Sequence, residues 1–462
     1  MIRIFRHYLP KGMVILGLAE MLVFWVAIRL GAYARAGNHR IIADLAAPLH
    51  YRVALFVVVM LLVMTSFGLY QRDLSEGRWG YFPRLVISLA FGFLTFLLLL
   101  SFDPRAVFPP ATVAYALLVA LLGTAVTRFA YIALVNRESR QRHVLVLGTG
   151  RRARAVRSLA SGSLARPGFH LVGFVPFGER ELAAEAAPLL RTQPLADIAR
   201  SHHVSEIVVA SRDRRQILPM KELLECKLRG VRVLDVTTFF EQEGGLIELE
   251  SLNTSWLVFA DGFRQGFSRT TIKRLFDIIA SILLLVLALP VMAVVALAIW
   301  IDDRGPVLYR QERVGQGGAG FLLLKFRSMR IHAEHDGAPK WASENDARVT
   351  RVGRIIRKLR LDELPQAVNV LRGDMSFVGP RPERQFFVAD LEKRIPFYSY
   401  RHTLKPGITG WAQVNYPYGA SVDDAREKLK YDLYYVKNNS LFLDFIILIQ
   451  TIQVVIFQKG SR

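Results

Sequence analysis

Four long apolar runs open the sequence, and they constrain the fold more than any other feature. The runs cover Met13–Tyr33, Val53–Tyr70, Leu85–Phe102 and Ala111–Val135. Each holds about 18–25 residues, enough to cross the ~30 Å hydrocarbon layer of a bilayer as a helix. Residues 1–137 are therefore predicted to form a four-helix transmembrane region.

Basic residues mark one side of these runs. They occupy the N-terminal tail, the second loop and the segment after the fourth run: Arg3, Arg6, Lys11, Arg72, Arg78, Arg84, Arg137, Arg140 and Arg142. The third loop carries only Arg105, while Arg35 and Arg40 make the first loop a weaker case. This asymmetry predicts a multi-pass membrane protein whose N-terminus and whose chain beyond residue 137 are both cytoplasmic. Glu20 and Arg29, inside the first run, are expected to face neighbouring helices or snorkel.

The charge balance favours anionic partners. The chain has 462 residues, with 60 Lys and Arg against 39 Asp and Glu, a net charge of +21. Lipid head groups and phosphorylated substrates fit this excess. Nucleic acid does not, because the charge accompanies membrane segments rather than a reading helix. A single cysteine, Cys226, excludes an intrachain disulfide and is expected to be packed.

The segment 138–265 alternates strands with helix-like stretches. Strands are predicted at His143–Leu147, Leu171–Val175, Glu206–Ala210 and Val231–Val236. This βαβ pattern predicts a doubly wound, Rossmann-like parallel sheet.

The first of these strands runs into a glycine turn, G-x-G-x-x-A, formed by Gly148, Gly150 and Ala153. Such a turn is suited to cradle a dinucleotide pyrophosphate. The second strand, however, ends in FVPFGE, without a clear acid to hold a ribose. The turn is therefore a weak nucleotide site, and a ligand-free structural or regulatory domain is the preferred interpretation.

A second membrane element lies at about 275–301, and Pro290 interrupts it. Proline removes a backbone donor and clashes with the preceding turn. Two short arms that enter and leave one leaflet, a re-entrant hairpin, are favoured over a kinked spanning helix. Between Arg310 and Arg360 there are 12 Lys or Arg against 5 Asp or Glu. This basic excess supports keeping the C-terminal domain, 266–462, in the cytoplasm.

The adjacent acids Asp362 and Glu363 are the main chemical signal. They stand in RIIRKLRLDELPQAVNVLRG, where Asp is predicted to cap a short helix that ends near Gly373. Neighbouring residues diverge on a helix, so the two acids suit different roles, one as a nucleophile and one as a ligand to Mg²⁺. Arg357, Lys325 and Arg381 are suited to stabilise a transferring phosphate. An exposed, ion-paired helix start is the alternative.

The stretch Lys273–Phe457 resembles the catalytic module of bacterial polyprenyl-phosphate phosphosugar transferases. The matching blocks are KRLFD, GPVLYRQERVG, LKFRSM, RVGRIIRKLRLDELPQAVNVLRGDMSFVGPRPE, KPGITGWAQVN and YDLYYVKNNSLFLD. The N-terminal regions are similar, more loosely, to the large multi-domain branch of that family. The resemblance implies that sugar-1-phosphate passes from a UDP-sugar to polyprenyl (undecaprenyl) phosphate, the first membrane step of exopolysaccharide or glycoconjugate synthesis. Inner-membrane lipids, downstream glycosyltransferases and a homodimer complete the expected partners.

The resemblance also implies residue roles. Asp362 would form the covalent phosphosugar intermediate, and Glu363 would help to bind Mg²⁺. Lys325 and Arg357 match phosphate-binding positions, and Arg381, between Pro380 and Pro382, matches a nucleotide-binding position. The mouth of the membrane anchor, near the lipid phosphate, carries Lys273, Arg274 and Asp277, with Pro290 at the break. One departure is Leu289, where small relatives often have a serine before the proline.

Two rival functions remain open. A glycosyltransferase that releases UDP would need a D-x-D metal motif, and the nearest acids, Asp302-Asp303, end the apolar hairpin. A non-catalytic membrane scaffold would sense a nucleotide through Gly148–Ala153. His332 and His335 are expected to lie in a mobile loop, and Trp411 either to pack or to contact a base. Tyr431, Tyr434 and Tyr435 are expected to pack or to lie at the membrane interface. The apolar C-terminus is expected to form an interfacial or packed helix.

Overall fold

The computed structural model describes fourteen stretches of the chain. They are residues 2–4, 6–33, 49–70, 77–102, 110–135, 142–161, 168–176, 193–210, 218–252, 266–331, 346, 348–417, 419 and 421–456. These residues form two compact units. The first takes in Tyr8–Gly244, and the second takes in His7 together with Gly245–Arg462. His332 and His335 lie outside the described residues.

The first unit begins with the expected apolar helices. After the short strands β1 (Ile2–Ile4) and β2 (His7–Leu9) come α1 (Lys11–Tyr33), α2 (Leu49–Ser66), α3 (Gly77–Leu100) and α4 (Pro110–Val135). Among the described residues, three of these helices are long and apolar enough to cross a membrane, whereas α2 is a shorter apolar helix. The prediction of four apolar N-terminal helices is therefore confirmed.

A buried charge network lies inside this helical bundle. The carboxylate of Glu20 on α1 pairs with the guanidinium of Arg128 on α4 at 2.5 Å and accepts a hydrogen bond from the hydroxyl of Tyr70. Arg128 also donates to the backbone carbonyl of Leu69 at 3.0 Å. Glu20 is fully buried and Arg128 nearly so, which agrees with the expectation that Glu20 faces neighbouring helices. An ion pair in such surroundings stabilises only when both partners are present.

We expect Glu20→Ala to destabilise the full-length protein by about 3–5 kcal/mol, because it leaves the Arg128 charge buried without its partner. The double variant Glu20→Leu with Arg128→Leu should recover most of that loss, since no buried charge remains. Thermal unfolding in detergent measures both, with Thr95→Ala, an exposed position on α3, as the control. A double variant no more stable than the single one would contradict this account.

A parallel sheet of four strands follows in the same unit. Its strands are β3 (Arg142–Leu147), β4 (Phe169–Val175), β5 (Glu206–Val209) and β6 (Arg232–Asp235), in the spatial order β4-β3-β5-β6. The helices along this segment are α5 (Arg151–Ser161), α6 (Leu195–Ser201), α7 (Met220–Leu228) and α8 (Val236–Gly244). All four strands are where the alternating pattern predicts them, within two residues, and every pairing is parallel.

The glycine turn lies at the carboxyl end of the central strand β3. Gly148 adopts a left-handed φ of +124°, and a side chain there would meet the Ala210 backbone that follows β5 at 3.3 Å. The helix α5 then begins at Arg151, and Ala153 is buried on it. Cys226 is buried in the hydrophobic core beside the sheet, as expected for a packed thiol.

The second unit opens with one very long helix, α9 (Phe267–Asp302), which contains Pro290. The strands β7 (Leu308–Val314) and β8 (Gly320–Phe326) follow as an antiparallel hairpin. Downstream lie α10 (Arg351–Lys358), α11 (Gln366–Arg372), β9 (Ser376–Val378), α12 (Gln385–Arg394), β10 (Gly407–Thr409), α13 (Trp411–Asn415), α14 (Val422–Asn438) and α15 (Leu441–Ile456). The strands β9 and β10 pair in parallel.

Helix α9 keeps most of its apolar side chains exposed. Only 11% of its most apolar window is buried, and it is long and apolar enough to cross a membrane. By contrast, α14 and α15 supply much of the buried core of this unit, including Tyr434, Tyr435 and Ile447. The C-terminal helix is thus a packed helix on one side, and the tyrosines pack, as expected.

Candidate active site

Three segments of the second unit bring the predicted charged residues together. Lys325 lies on β8, Asp362 and Glu363 lie on a 3₁₀ turn at Leu361–Glu363, and Arg381 lies in the loop after β9. Helix α10 ends at Lys358, and Arg360 then adopts a left-handed backbone, with φ of 54°. This reversal, unusual for a residue with a side chain, turns the chain so that both acids face Lys325 and Arg381.

The predicted cap of the following helix is wrong. Helix α11 begins at Gln366 with Pro365 at its N-cap position, and no side chain caps it. Asp362 instead lies in the preceding 3₁₀ turn, because the left-handed Arg360 starts that turn before the helix can begin. The predicted end is confirmed, since α11 stops at Gly373, whose φ is 98°.

Glu363 is held by three cations. Its Oε1 lies 3.3 Å from the Lys325 ammonium and accepts a hydrogen bond from Arg381 at 3.0 Å. Its Oε2 lies 3.7 Å from the Arg360 guanidinium. Within the described part of the chain, no hydrogen bond or ion pair reaches the buried carboxylate of Asp362. The two neighbouring acids therefore have different environments.

The pKa values follow these environments. Burial raises the pKa of Asp362, and the charge of Lys325 only partly offsets that rise. Burial would also raise the pKa of Glu363, but Lys325, Arg381 and Arg360 outweigh it and hold that pKa well below its usual range. Burial lowers the pKa of Lys325. Glu363 is thus a fixed anion, and Asp362 is a poorly solvated carboxylate whose ionised form is the less stable of the two.

The loop that carries Arg381 is fixed by its backbone. The carbonyl of Arg381 accepts from Arg401 at 3.0 Å, and the carbonyl of Pro382 accepts from Arg313 at 3.2 Å. On the other side, the amide of Gly379 donates to Thr409 at 2.9 Å and the carbonyl of Pro380 accepts from Gly407 at 3.0 Å. The Gly379–Pro382 loop is therefore held in place from both sides.

Arg401 is itself held by a buried acid. Its guanidinium donates to Asp432 at 2.9 Å and to the hydroxyl of Tyr398 at 2.8 Å. Both Arg401 and Asp432 are almost fully buried. Tyr398 and Asp432 help to hold the pKa of Arg401 high in spite of its burial, so its charge is permanent.

The three residues at the base of α9 are engaged with the rest of the domain. Lys273 donates to Asp444 at 2.6 Å and to the carbonyl of Val378 at 3.1 Å. Arg274 donates to the carbonyls of Val370 and Leu371, which end α11. Asp277 accepts from the hydroxyl of Ser376 at 3.0 Å and from the amide of Phe377 at 3.1 Å. These contacts fasten α9 to β9, directly before the loop that carries Arg381.

The remaining predicted residues occupy different places. Arg357 lies near the end of α10, and its charge opposes, to a small extent, the burial that raises the pKa of Asp362. Pro290 lies within α9, and Gly148, Gly150 and Ala153 belong to the first compact unit. Trp411 is buried and stacks on Tyr434 with ring centroids 5.9 Å apart, which favours packing over contact with a base.

A magnesium ion fits this site only in part. Among the described residues, no group of three acidic, histidine or cysteine side chains is placed to hold a metal. Mg²⁺, however, is commonly held by one or two carboxylates together with substrate phosphates and water. Glu363 could supply such a carboxylate, beside the cations that contact it.

Several residues of the site were not predicted from the sequence. Arg360, Arg401 and Asp432 belong to it, as do Arg313 and Asp444. Asp432 and Asp444 stand inside the block YDLYYVKNNSLFLD, where an acid on an apolar helix face is the signal that a buried partner exists. Arg360 gave no such signal, because its role depends on a backbone conformation.

A fixed anion and a buried carboxylate thus lie among several cations, an arrangement that suits phosphate groups, in a unit that also contains a long apolar helix. A sequence profile of the family described as bacterial sugar transferase matches residues 268–458. An undecaprenyl-phosphate galactose phosphotransferase from Salmonella typhimurium is 31% identical over 354 residues, 70% of this chain and 69% of the relative. The chain belongs to the bacterial sugar transferase family.

Two further relatives match over shorter lengths. A UDP-N-acetylgalactosamine-undecaprenyl-phosphate N-acetylgalactosaminephosphotransferase from Aeromonas hydrophila is 43% identical over 240 residues, 52% of this chain and 56% of the relative. A UDP-glucose:undecaprenyl-phosphate glucose-1-phosphate transferase from Xanthomonas campestris pv. campestris is 43% identical over 191 residues, 41% of this chain and 40% of the relative. The chain thus matches about half the length of these two relatives.

The left-handed Arg360 allows a paired test. Arg360→Gly and Arg360→Ala both remove the ion pair with Glu363, but only glycine accepts a positive φ without strain. We expect Arg360→Ala to be less stable than Arg360→Gly by about 1 kcal/mol or more. Thermal unfolding of the two variants side by side measures the difference, with Arg354→Ala and Arg354→Gly on α10 as the control pair. In that helix the order should reverse, and equal stability of the two Arg360 variants would refute the backbone argument.

Proposed function

We propose that this protein transfers sugar-1-phosphate from a UDP-sugar to polyprenyl (undecaprenyl) phosphate at the bacterial inner membrane. The contrast between Asp362 and Glu363 carries the proposal. Glu363 is neutralised by Lys325, Arg381 and Arg360, whereas Asp362 is buried with a raised pKa. A poorly solvated carboxylate without a partner is suited to attack phosphorus. The names of the relatives, which specify sugar phosphotransferases acting on undecaprenyl phosphate, support the same reaction.

The first displacement would use Asp362 as the nucleophile. Its carboxylate oxygen bonds to the phosphorus that bears the sugar, the bond from that phosphorus to the bridging oxygen breaks, and UMP leaves with the electron pair. In the second displacement an oxygen of polyprenyl phosphate attacks the same phosphorus. The aspartyl bond breaks, and polyprenyl-diphosphate-sugar leaves. Splitting the transfer in this way lets one site serve a soluble donor and a lipid acceptor in turn.

Lys325 would stabilise charge on the transferring phosphate, and Arg381, which matches a nucleotide-binding position, would stabilise charge on the UMP part of the donor. Lys325 and Arg381 both contact Glu363, so they are held at fixed positions before any phosphate arrives. Preorganised charge of this kind lowers the barrier because it does not need to reorient during the reaction. Arg357, whose charge already acts on Asp362, would add to the same field.

We propose that Mg²⁺ assists at this site. Glu363, with phosphate oxygens of the donor, would hold the ion. When bound, it would supply positive charge that neutralises the developing negative charge on the leaving UMP. The role of the protein is to present Glu363 as a permanent anion, because the pKa of that residue is held well below its usual range.

Product analysis tests the reaction. The full-length protein in detergent, with polyprenyl phosphate, Mg²⁺ and a panel of UDP-sugars, should release UMP. Asp362→Asn should lower the rate by several orders of magnitude, because the amide is a poor nucleophile. Mass spectrometry of wild-type protein with donor alone should show an added sugar-phosphate, which Asp362→Asn lacks.

The rival functions give different results in the same assay. Release of UDP would indicate a glycosyltransferase that moves the sugar without its phosphate. A nucleotide-sensing scaffold would keep its function in Asp362→Asn and lose it in Gly150→Glu. We favour the transferase because the cations converge on Glu363, directly beside Asp362. We interpret the sheet of the first unit as a Rossmann-like structural or regulatory domain. Downstream glycosyltransferases and a second copy of the chain are the proposed protein partners.

We also propose that α9 is re-entrant, with both ends on the cytoplasmic side. Arg274, near one end, contacts the carbonyls that end α11, while Ile299, near the other, packs in a cluster with Ile356 of α10. A straight helix would hold these two positions ~38 Å apart at ~1.5 Å per residue. A bend in α9 would let both positions contact the same small domain, and Pro290 is the residue that favours a bend.

Cysteine accessibility tests this topology. In a Cys226→Ser background, Phe267→Cys places a single cysteine at the start of α9, and Arg304→Cys places one two residues beyond its end. If α9 is re-entrant, an impermeant maleimide added to intact spheroplasts should label neither position, and both should react once the membrane is permeabilised. A spanning helix predicts that exactly one of the pair reacts in intact spheroplasts. A cysteine in a loop predicted to be external, at Arg105, is the positive control.

A further inference from the structure

One residue from the extreme N-terminus belongs to the catalytic unit. His7 is grouped with the chain from Gly245 onward, although it lies only four residues before the first apolar helix. Its side chain is 6% exposed, comparable with the core residues around it. The proposed reaction makes no use of this residue.

The contacts of His7 are specific. Its Nδ1 lies 2.9 Å from the hydroxyl of Tyr434 on α14, a residue 427 positions later. Its ring meets the ring of Trp411 edge to face, with centroids 5.4 Å apart. Trp411 in turn stacks on Tyr434. Because burial lowers the pKa of His7 to about 4, the ring is neutral at physiological pH and suits this aromatic environment.

Trp411 connects this cluster with the active-site loop. Its indole donates to the carbonyl of Gly245 at 2.7 Å. This hydrogen bond and the stacking on Tyr434 together fix the orientation of the ring. The preceding residue, Gly410, packs so closely on the carbonyl of Gly379 that a side chain there would overlap it, at 2.2 Å. Gly379 begins the loop that presents Arg381 to Glu363. Because these two backbones are already in close contact, a movement of Trp411 would displace the Gly379–Pro382 loop.

We propose that His7 is a positioning residue for donor binding: by holding Trp411 against Tyr434, the N-terminal tail fixes the loop that carries Arg381. The inference rests on the proposed function and deepens it, since it assigns part of the donor site to a segment that precedes the first membrane helix. His7 does not touch the reacting groups. It acts through Trp411 and the Gly410–Gly379 contact.

The two-displacement reaction offers a readout that general instability would not produce. In such kinetics, kcat/KM for the UDP-sugar reports the first half-reaction, and kcat/KM for polyprenyl phosphate reports the second. We expect His7→Ala to lower kcat/KM for the donor about tenfold and to leave kcat/KM for the acceptor within twofold of wild type. A variant that is merely partly unfolded would lower both by the same factor.

Two further variants sharpen the test. His7→Asn places an amide near the position of Nδ1, so it should recover much of the donor kcat/KM. Tyr434→Phe keeps the ring but removes the hydroxyl that lies 2.9 Å from Nδ1 of His7, so it should also lower the donor kcat/KM and leave the acceptor kcat/KM within twofold of wild type. Tyr8→Ala, the next residue of the tail, should behave as wild type.

The outcomes separate this inference from the proposed function. If wild-type protein releases no UMP, the proposed function fails. If wild type is active and His7→Ala keeps its donor kcat/KM within twofold, the proposed function stands and the positioning role of His7 is overturned. Equal loss of donor and acceptor kcat/KM in both His7→Ala and His7→Asn would also overturn it.

Discussion

The second unit is organised around the ionised carboxylate of Glu363. It draws together a lysine from β8, an arginine from the loop after β9 and the left-handed Arg360, three cations that would otherwise repel one another. Burying these charges would by itself destabilise the fold. Each cation is paired with the same anion, and this pairing offsets the cost of burial. Asp362, one residue away, lies within the positive field yet takes part in none of these pairs. The difference between two adjacent acids is thus a property of the fold around them.

A second layer of buried charge holds this arrangement in place. Arg401 and Asp432 fix the backbone of Arg381, and Lys273 and Asp444 fasten the base of the apolar helix to the carbonyl of Val378. Buried pairs of this kind contribute little net stability, but breaking one of them is costly. They therefore specify a single geometry. Arg381 and the base of the long apolar helix α9 are therefore both positioned relative to the short strand β9.

Much of this organisation could be predicted from the sequence. Unbroken apolar runs are decided by local composition, so the four N-terminal helices were found, and the strands of the parallel sheet follow from their β-branched runs. The charged residues of the site are predictable because two adjacent acids stand in a strongly basic segment, and the resemblance to a known family adds a role for each. The contacts of Arg401 with Asp432 and of Lys273 with Asp444 could not be predicted, because charged residues far apart in sequence carry no local sign of their pairing. The misplaced helix cap has the same origin: the positive φ of Arg360 is imposed by its surroundings.

The place of His7 bears on how the protein is made. Its partner Tyr434 follows 427 residues later, close to the end of the chain. At a synthesis rate of ~5–20 residues per second, roughly 20–90 s pass between the two. Throughout that interval His7 cannot make this contact, although the apolar helices that follow it in the sequence have already been synthesised. The contact between His7 and Tyr434 can therefore form only after residue 434 has been synthesised, long after the apolar helices that follow His7.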